Sequence, residues 1–353
     1  MSRAVRKLYL MIHVLQAMPA SCINRDDAGS PKSFPYGGTI RASVSSQAWK
    51  RAAKMYLKEM GEDTGLRTRA FQQMFVEMLI SDGAVKGMEE DEIKNFVKKS
   101  MVDAGLLADE KDKKPATVYL SQVQIDAVVA LMKKKLDEKD NYEDDDYKKD
   151  LKKAISDNPT GDMLLFGRMM ACEPSLSYDA ACQVAYAFTV NEAREEYDYF
   201  TAVDEFVTDN KGAAHIDSKS YNSGVYYRYA SVNLSDTSEL IRMDKPHAAK
   251  IARDFAEAFV RSIPSGGSNS FANTTVPDVV MIELRAENAA SYSPAFIKAV
   301  TGNNYMKEAE DLLMAYAKKV DRNFEPPVLR LTFDDMSFKE MLNKVEETIQ
   351  EVI

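Results

Sequence analysis

The residues best suited to chemistry lie in the stretch Ser43-Val44-Ser45-Ser46-Gln47-Ala48-Trp49-Lys50-Arg51-Ala52-Ala53-Lys54. Ser45 and Ser46 are N-cap types, able to accept from the backbone N–H groups of a helical first turn. Trp49, Ala52, Ala53, Tyr56, Leu57 and Met60 recur at three- and four-residue steps and Gly61 supplies a stop, so the spacing predicts an amphipathic helix. Its charge is unusual. Lys50, Arg51 and Lys54 gather near the positive end of the macrodipole, where cations are mildly unfavourable unless an anion sits against them. A Ser-Ser-Gln opening beside a Lys/Arg/Lys face suits a phosphate. A solvated basic face on a helix packed by its aromatic side is the plainer alternative.

Other chemistries find less support. Asp26 and Asp27 are adjacent carboxylates with no third ligand or histidine nearby, a poor metal site. Asn24-Arg25-Asp26-Asp27 reads instead as a turn, its carboxylates paired with Arg25 or a neighbouring chain. His13, His215 and His247 show no ligand spacing, and His13 reads as a satisfied strand residue. No cysteine pair has zinc spacing, and no P-loop, Ser/His/Asp or Cys/His arrangement can be argued. No metal, cofactor or catalytic residue is expected. Tyr226, Tyr227 and Tyr229 invite base stacking, but alternation buries one strand face, so at least half belong to a core. Met169 beside Met170 reads as core filler.

The elements that must position these residues follow from periodicity. Arg3 to Gln16 is a buried strand, Met18 to Gly38 a long loop, and the basic helix comes next. Residues 64–174 change texture. Helical stripes at Phe71–Leu79, Ile93–Met101 and Ile125–Met132 are accompanied by Lys111–Pro115 and the charged run 137–150, and Lys133–Asp150 reads as an exposed salt-laced helix or linker. Strand alternation returns at Cys182–Val190, at Tyr197–Asp204 before a turn-rich stretch to Ser223, and at Val225–Val232. Asp244 caps a helix through Ala249, Ala252, Phe255 and Phe259, Val279–Leu284 and Val328–Phe333 are strands, and Ser337 with Glu340 forms a capping box for a last helix. With 64–174 and 197–223 set aside, the order is strand, helix, strand, strand, helix, strand. That is an α+β class, ferredoxin-like βαββαβ motif, the layout of the RRM, whose open sheet face takes single-stranded RNA.

Composition bounds the partners. The chain of 353 residues has ample length for a real core, and no apolar run approaches the ~18–20 residues of a membrane span. Three scattered cysteines argue for a reducing compartment, so cytoplasm is expected. The net charge of −9 is unevenly spread: residues 1–70 hold twelve basic against five acidic side chains, a local +7.

Motifs along the chain resemble one family. Ser21-Cys22-Ile23-Asn24-Arg25-Asp26-Asp27, Tyr36-Gly37-Gly38 and Ser45-Ser46-Gln47-Ala48-Trp49-Lys50-Arg51 are followed by Phe166-Gly167-Arg168-Met169. Phe200-Thr201-Ala202-Val203-Asp204 and Ser223-Gly224-Val225-Tyr226-Tyr227-Arg228-Tyr229-Ala230 come next. In order and rough spacing they look like the CasC family, the Cascade backbone subunit of type I-E CRISPR systems, over about residues 8–300. The final fifty residues match no motif.

The resemblance implies a RAMP-like right hand, with an RRM-like palm (1–63, 175–196 and 224–353 with the C-terminal helix), a helical fingers insertion (64–174) and a thumb β-hairpin (197–223). It implies a non-catalytic subunit that polymerises with other copies of itself along a guide RNA (crRNA) and leaves the bases free to pair with target DNA. Other Cascade subunits and a recruited effector nuclease would be its partners in antiviral defence. By the same resemblance Ser45, Ser46, Gln47, Lys50, Arg51 and Lys54 hold guide phosphates, and Arg25 and Lys32 add charge. Arg168 and Met169 lie against the guide, the methionine as a wedge. Phe200, Thr201 and Val203 belong to the thumb, with His215 a polar thumb residue near nucleic acid. The Ser265–Asn273 loop has no Lys or Arg, so RNA contact there rests on Ser268, Asn269 or backbone N–H groups. The enzyme alternative is a metal-dependent RNase of a type III-like complex using Asp26.

Overall fold

The apolar run after Lys7 folds into strand β1 (Tyr9–Ser21), buried on both faces over most of its length. The structure, a computed structural model, describes residues 6–108, 117–138, 141–202 and 215–353. Val203, Asp204 and the Lys111–Pro115 run lie outside the described residues. After β1 come β2 (Ser33–Tyr36), β3 (Thr39–Val44), α1 (Ser46–Glu59), β4 (Leu66–Thr68), α2 (Phe71–Ser81), α3 (Glu90–Asp103) and β5 (Val118–Leu120). Then follow α4 (Gln122–Glu138), α5 (Asp144–Ser156), α6 (Gly161–Phe166), β6 (Cys182–Val184), β7 (Ala187–Thr189), β8 (Glu196–Ala202) and β9 (His215–Asn233). The chain ends with α7 (Glu239–Asp244), α8 (Ala248–Arg261), α9 (Ser268–Phe271), β10 (Val279–Arg285), α10 (Tyr305–Asn323), β11 (Leu329–Thr332) and α11 (Phe338–Val352).

Two compact units result, one of the residues up to Met60 with Cys182–Ile353, the other Gly61–Ala181. The first is a mixed α/β unit on an antiparallel sheet ordered β11-β10-β1-β9-β7-β3-β2. At its centre β10, β1 and β9 are paired, with Ile12 between Ile282 and Ala230. The expected second strand is broken, and β6 and β7 both pair with β9. The long loop expected from Met18 to Gly38 is shorter, because β1 runs to Ser21 and β2–β3 form a hairpin. Gly37 turns that hairpin at φ +61, and a Cβ there would meet Ile297 O at 1.5 Å, so only glycine fits.

Helices α1, α8 and α11 pack together, and α1 and α8 lie on one sheet face. The other face, which a sheet backed on one side leaves open, is covered. Met11, Leu15, Tyr227, Tyr229 and Met281 pack there against Tyr292, Phe296 and the Leu313 and Ala317 stripe of α10. Tyr226, Tyr227 and Tyr229 are therefore all core, and none of the three is free to stack on a base.

The second unit is helical apart from the short β4–β5 pair. Phe71, Phe75, Ile93, Val97, Ile125 and Val128 share one core. Part of the charged run becomes α5, whose Tyr147, Leu151 and Ile155 turn inward while Asp144 pairs with Lys135 at 2.8 Å. No helix among the described residues is long and apolar enough to cross a membrane.

Candidate nucleic-acid interface

The basic helix opens as its sequence requires. Ser45 is the N-cap, with extended backbone and an Oγ that accepts the Ala48 N–H at 3.3 Å. Ser46 is already the first helical residue, and Trp49, Ala53 and Leu57 are the buried stripe. No acidic residue occupies the first turn. Arg51 is exposed and Lys50 half-buried, and among the described residues neither has a carboxylate partner. Lys54, one turn on, is half-buried and does have a partner. Two cations left without a partner among the described residues, beside a helix start, are an arrangement that suits an anion.

Two loops meet this corner. In the first, Asn24 Oδ1 accepts the Ser45 N–H at 3.0 Å, Lys32 N–H donates to Asn24 O at 2.9 Å, and Ser43 N–H donates to Lys32 O at 2.7 Å. Arg25 is exposed and bridges to Pro31. Asp26 closes its own turn, since Oδ1 accepts the N–H groups of Ala28 and Ser30, each at 2.9 Å. Among the described residues no group of three or more His, Cys, Asp or Glu could hold a metal ion. An open groove of about 510 Å³ is lined here by Asp26, Asp27, Lys32, Phe34 and Tyr186.

The second loop is Ser265–Thr275. A Cβ on Gly266 would stand 2.0 Å from Ile23 O, so this loop rests directly on the residue before Asn24. Ser268 Oγ donates to Ser265 O at 3.0 Å, and Asn269 is exposed. The loop has no cation of its own, but β9 brings one: Lys219 Nζ donates to Ser270 Oγ at 2.5 Å and lies 5.2 Å over the Phe271 ring. Lys219 escaped the sequence reading because it is 51 residues away along the chain.

The comparisons with known proteins can be set on this geometry. The pattern of the family described as CT1975-like protein matches residues 10–353. The chain belongs to that family. Two solved structures are similar over nearly the whole chain. One, titled "CRISPR RNA-guided surveillance complex, pre-nicking", has a TM-score of 0.79 and 28% identity, covering 97% of this chain and 100% of that one. The other, titled "CRISPR RNA-guided surveillance complex", has a TM-score of 0.68 and 28% identity, covering 92% and 91%. Among curated proteins none matches. The CasC-type Cascade resemblance read from the motifs stands. The family match also runs through the last fifty residues, where the motifs were silent.

In this CT1975-like chain the remaining expected residues divide. Phe200 and Thr201 lie on β8, which pairs with the first part of β9 as an exposed hairpin; Phe200 is 42% exposed. His215 falls at the start of β9, opposite Ala202. Met169, expected as filler on its residue type and as a wedge by resemblance, is 83% exposed while Met170 is buried. Arg168 requires a correction. It is only 3% exposed, its guanidinium donates to Leu176 O, Ile155 O and Gln124 Oε1, and it lies 4.2 Å over the Tyr178 ring. All its donors are committed inside the second unit, so its guanidinium is an internal brace with no N–H left over for a guide phosphate. Arg41, counted in the basic surplus, is likewise buried, donating to the carbonyls of Thr189, Val190 and Phe296.

Proposed function

We propose that this chain is a guide-RNA-binding backbone subunit of a type I-E Cascade surveillance complex. Several copies line up along one crRNA, hold its phosphates, and present its bases to target DNA. The supporting observation is the corner where the opening of α1, with Lys50 and Arg51 unpaired among the described residues, meets the 22–32 and 265–275 loops. Ser45, Ser46, Gln47, Lys50, Arg51 and Lys54 grip phosphates there, aided by Arg25, Lys32, Ser268, Asn269 and Lys219. A grip on phosphates alone suits a guide whose sequence varies, since base pairing does the reading.

In this reading the first unit is the RRM-like palm, the second the fingers carrying Met169, and the β8–β9 hairpin, with Phe200, Thr201 and His215, belongs to the thumb, to which Val203 is assigned from the sequence alone. Target cutting belongs to a recruited nuclease and guide processing to other Cascade subunits, and the chain itself is no enzyme. It works in the cytoplasm. The test is to purify the chain from cells expressing crRNA and measure assembly mass against guide length. RNA of uniform length should co-purify, with protomer number rising in proportion to its length. Protein free of RNA, or one protomer whatever the length, overturns the proposal.

A further inference from the structure

Arg228 lies in the middle of β9, on the face turned to α1 and α8. It is fully buried and has no carboxylate partner among the described residues. Its guanidinium stacks 3.8 Å over Trp49, in the first turn of α1, and 4.8 Å over Phe259. It donates to the Phe259 carbonyl, to those of Val260 and Ser262 (3.4 Å each), and to Gln16 Oε1 at 2.5 Å. The Gln16 amide in turn donates to Thr275 O at 2.9 Å and Thr275 Oγ1 at 3.2 Å. The carbonyl end of α8 and the faces of two aromatic rings are negative without being charged, which is how a cation is held here without an acid. Burial brings its pKa down to about 9, so it stays charged at neutral pH.

One side chain therefore touches α1 near its opening, the chain entering the 265–275 loop at Ser262 and, through Gln16, the chain leaving it at Thr275. We infer that Arg228 is the positioning residue of the guide seat: it holds the α1 opening and the 265–275 loop in register while touching no phosphate itself. The inference rests on the reading of that corner as the guide seat. A protein that grips phosphates without base contacts has only the spacing of its own donors to set register, so a rigid tie between two donor segments has a function there.

The experiment titrates single-stranded RNA of one length onto the full-length chain over a salt series. Wild type, Arg228→Met, Arg228→Lys and Gln16→Met are compared, and hydrogen exchange of each protein is followed without RNA. Arg228→Met should bind about tenfold more weakly, the size expected for losing charged hydrogen bonds that hold the site. Its slope of log affinity against log salt should match wild type, because no phosphate contact is lost. Amides of 46–49 and 263–275 should exchange faster while β1 and β10 stay protected. Arg228→Lys should not restore binding, since one ammonium cannot stack on Trp49 and reach Gln16 and the α8 carbonyls together. Gln16→Met should loosen 263–275 with a smaller loss of affinity.

Wild-type affinity in folded Arg228→Met, rescue by lysine, a reduced salt slope, or uniform loss of protection across the sheet would each overturn the inference. If Arg228→Met does not fold, Gln16→Met decides, and unchanged exchange at 263–275 rejects the tie. If wild type binds no RNA, the guide reading falls by itself. The exchange pattern then still decides whether Arg228 couples the two segments.

Discussion

Asn24 Oδ1 accepts the backbone N–H of Ser45 at 3.0 Å, so the residue that caps α1 is itself held by the loop leaving β1. The tie makes the position of the helix opening depend on the fold of residues 22–32. Asn24→Ala leaves a half-buried N–H without its partner, at a cost of about 1 kcal/mol. Chemical denaturation should show that loss, and RNA affinity should fall with it. Asn24→Asp keeps an acceptor in place and should retain most of both.

Lys50 and Arg51 are the two cations next to the α1 opening, and among the described residues neither has an internal partner. Removing both charges as Lys50→Gln/Arg51→Gln should reduce the magnitude of the salt slope of RNA binding by about 1.4, two single-strand phosphate contacts' worth. The charge-reversed pair Lys50→Glu/Arg51→Glu should abolish RNA-dependent assembly while far-UV circular dichroism of the monomer stays unchanged. An RNA-bound assembly of normal size from that variant would contradict the guide seat.

Gly266 faces Ile23 O so closely that a methyl group requires one backbone to move. Gly266→Ala should destabilise the first unit by about 1–3 kcal/mol, the usual cost of overpacking. It should also loosen Ile23 and Asn24, seen as faster hydrogen exchange at 22–26. Wild-type stability and exchange in this variant would show the two loops to be independent.

His13 links stability to pH. The Tyr227 hydroxyl accepts the Tyr292 N–H at 2.9 Å and shares a second hydrogen bond with His13 Nδ1, also at 2.9 Å. Burial, with Arg330 and Arg285 adding to it, lowers the His13 pKa to about 3. An unfolded chain takes up that proton near 6.5 and the native one does not. The stabilisation is therefore complete above pH 6.5 and lost as pH falls towards 3, at a limiting slope of about 1.4 kcal/mol per pH unit. The single tryptophan, Trp49, reports the first unit, and its fluorescence midpoint in denaturant should fall between pH 6.5 and 5. His13→Gln should flatten that limb, and an unchanged slope would show that other groups cause it.

Where one face of an element is buried and its neighbours in sequence make the contacts, the sequence was legible. The Trp49, Ala53 and Leu57 stripe, the Ser45 cap and the Ser337–Glu340 box all stand where spacing put them. Alternation found β1, β9 and β10 but not the cover over their second face. A strand buried on both sides and one buried on one side differ only in what packs against them, and Tyr292, Phe296 and α10 come from a distant part of the chain.

What the amino-acid sequence determined by itself was the kind of chemistry on offer: serine caps and basic side chains at one helix opening. Which cations are left for an anion was decided by tertiary structure. Arg41, Arg168 and Arg228 are drawn inside to satisfy carbonyls, Lys50 and Arg51 have no partner among the described residues, and Lys219 is carried to a loop that has no cation. The reason is physical. A residue's type states what it can donate, but its partners are fixed only when segments far apart in the chain are packed together.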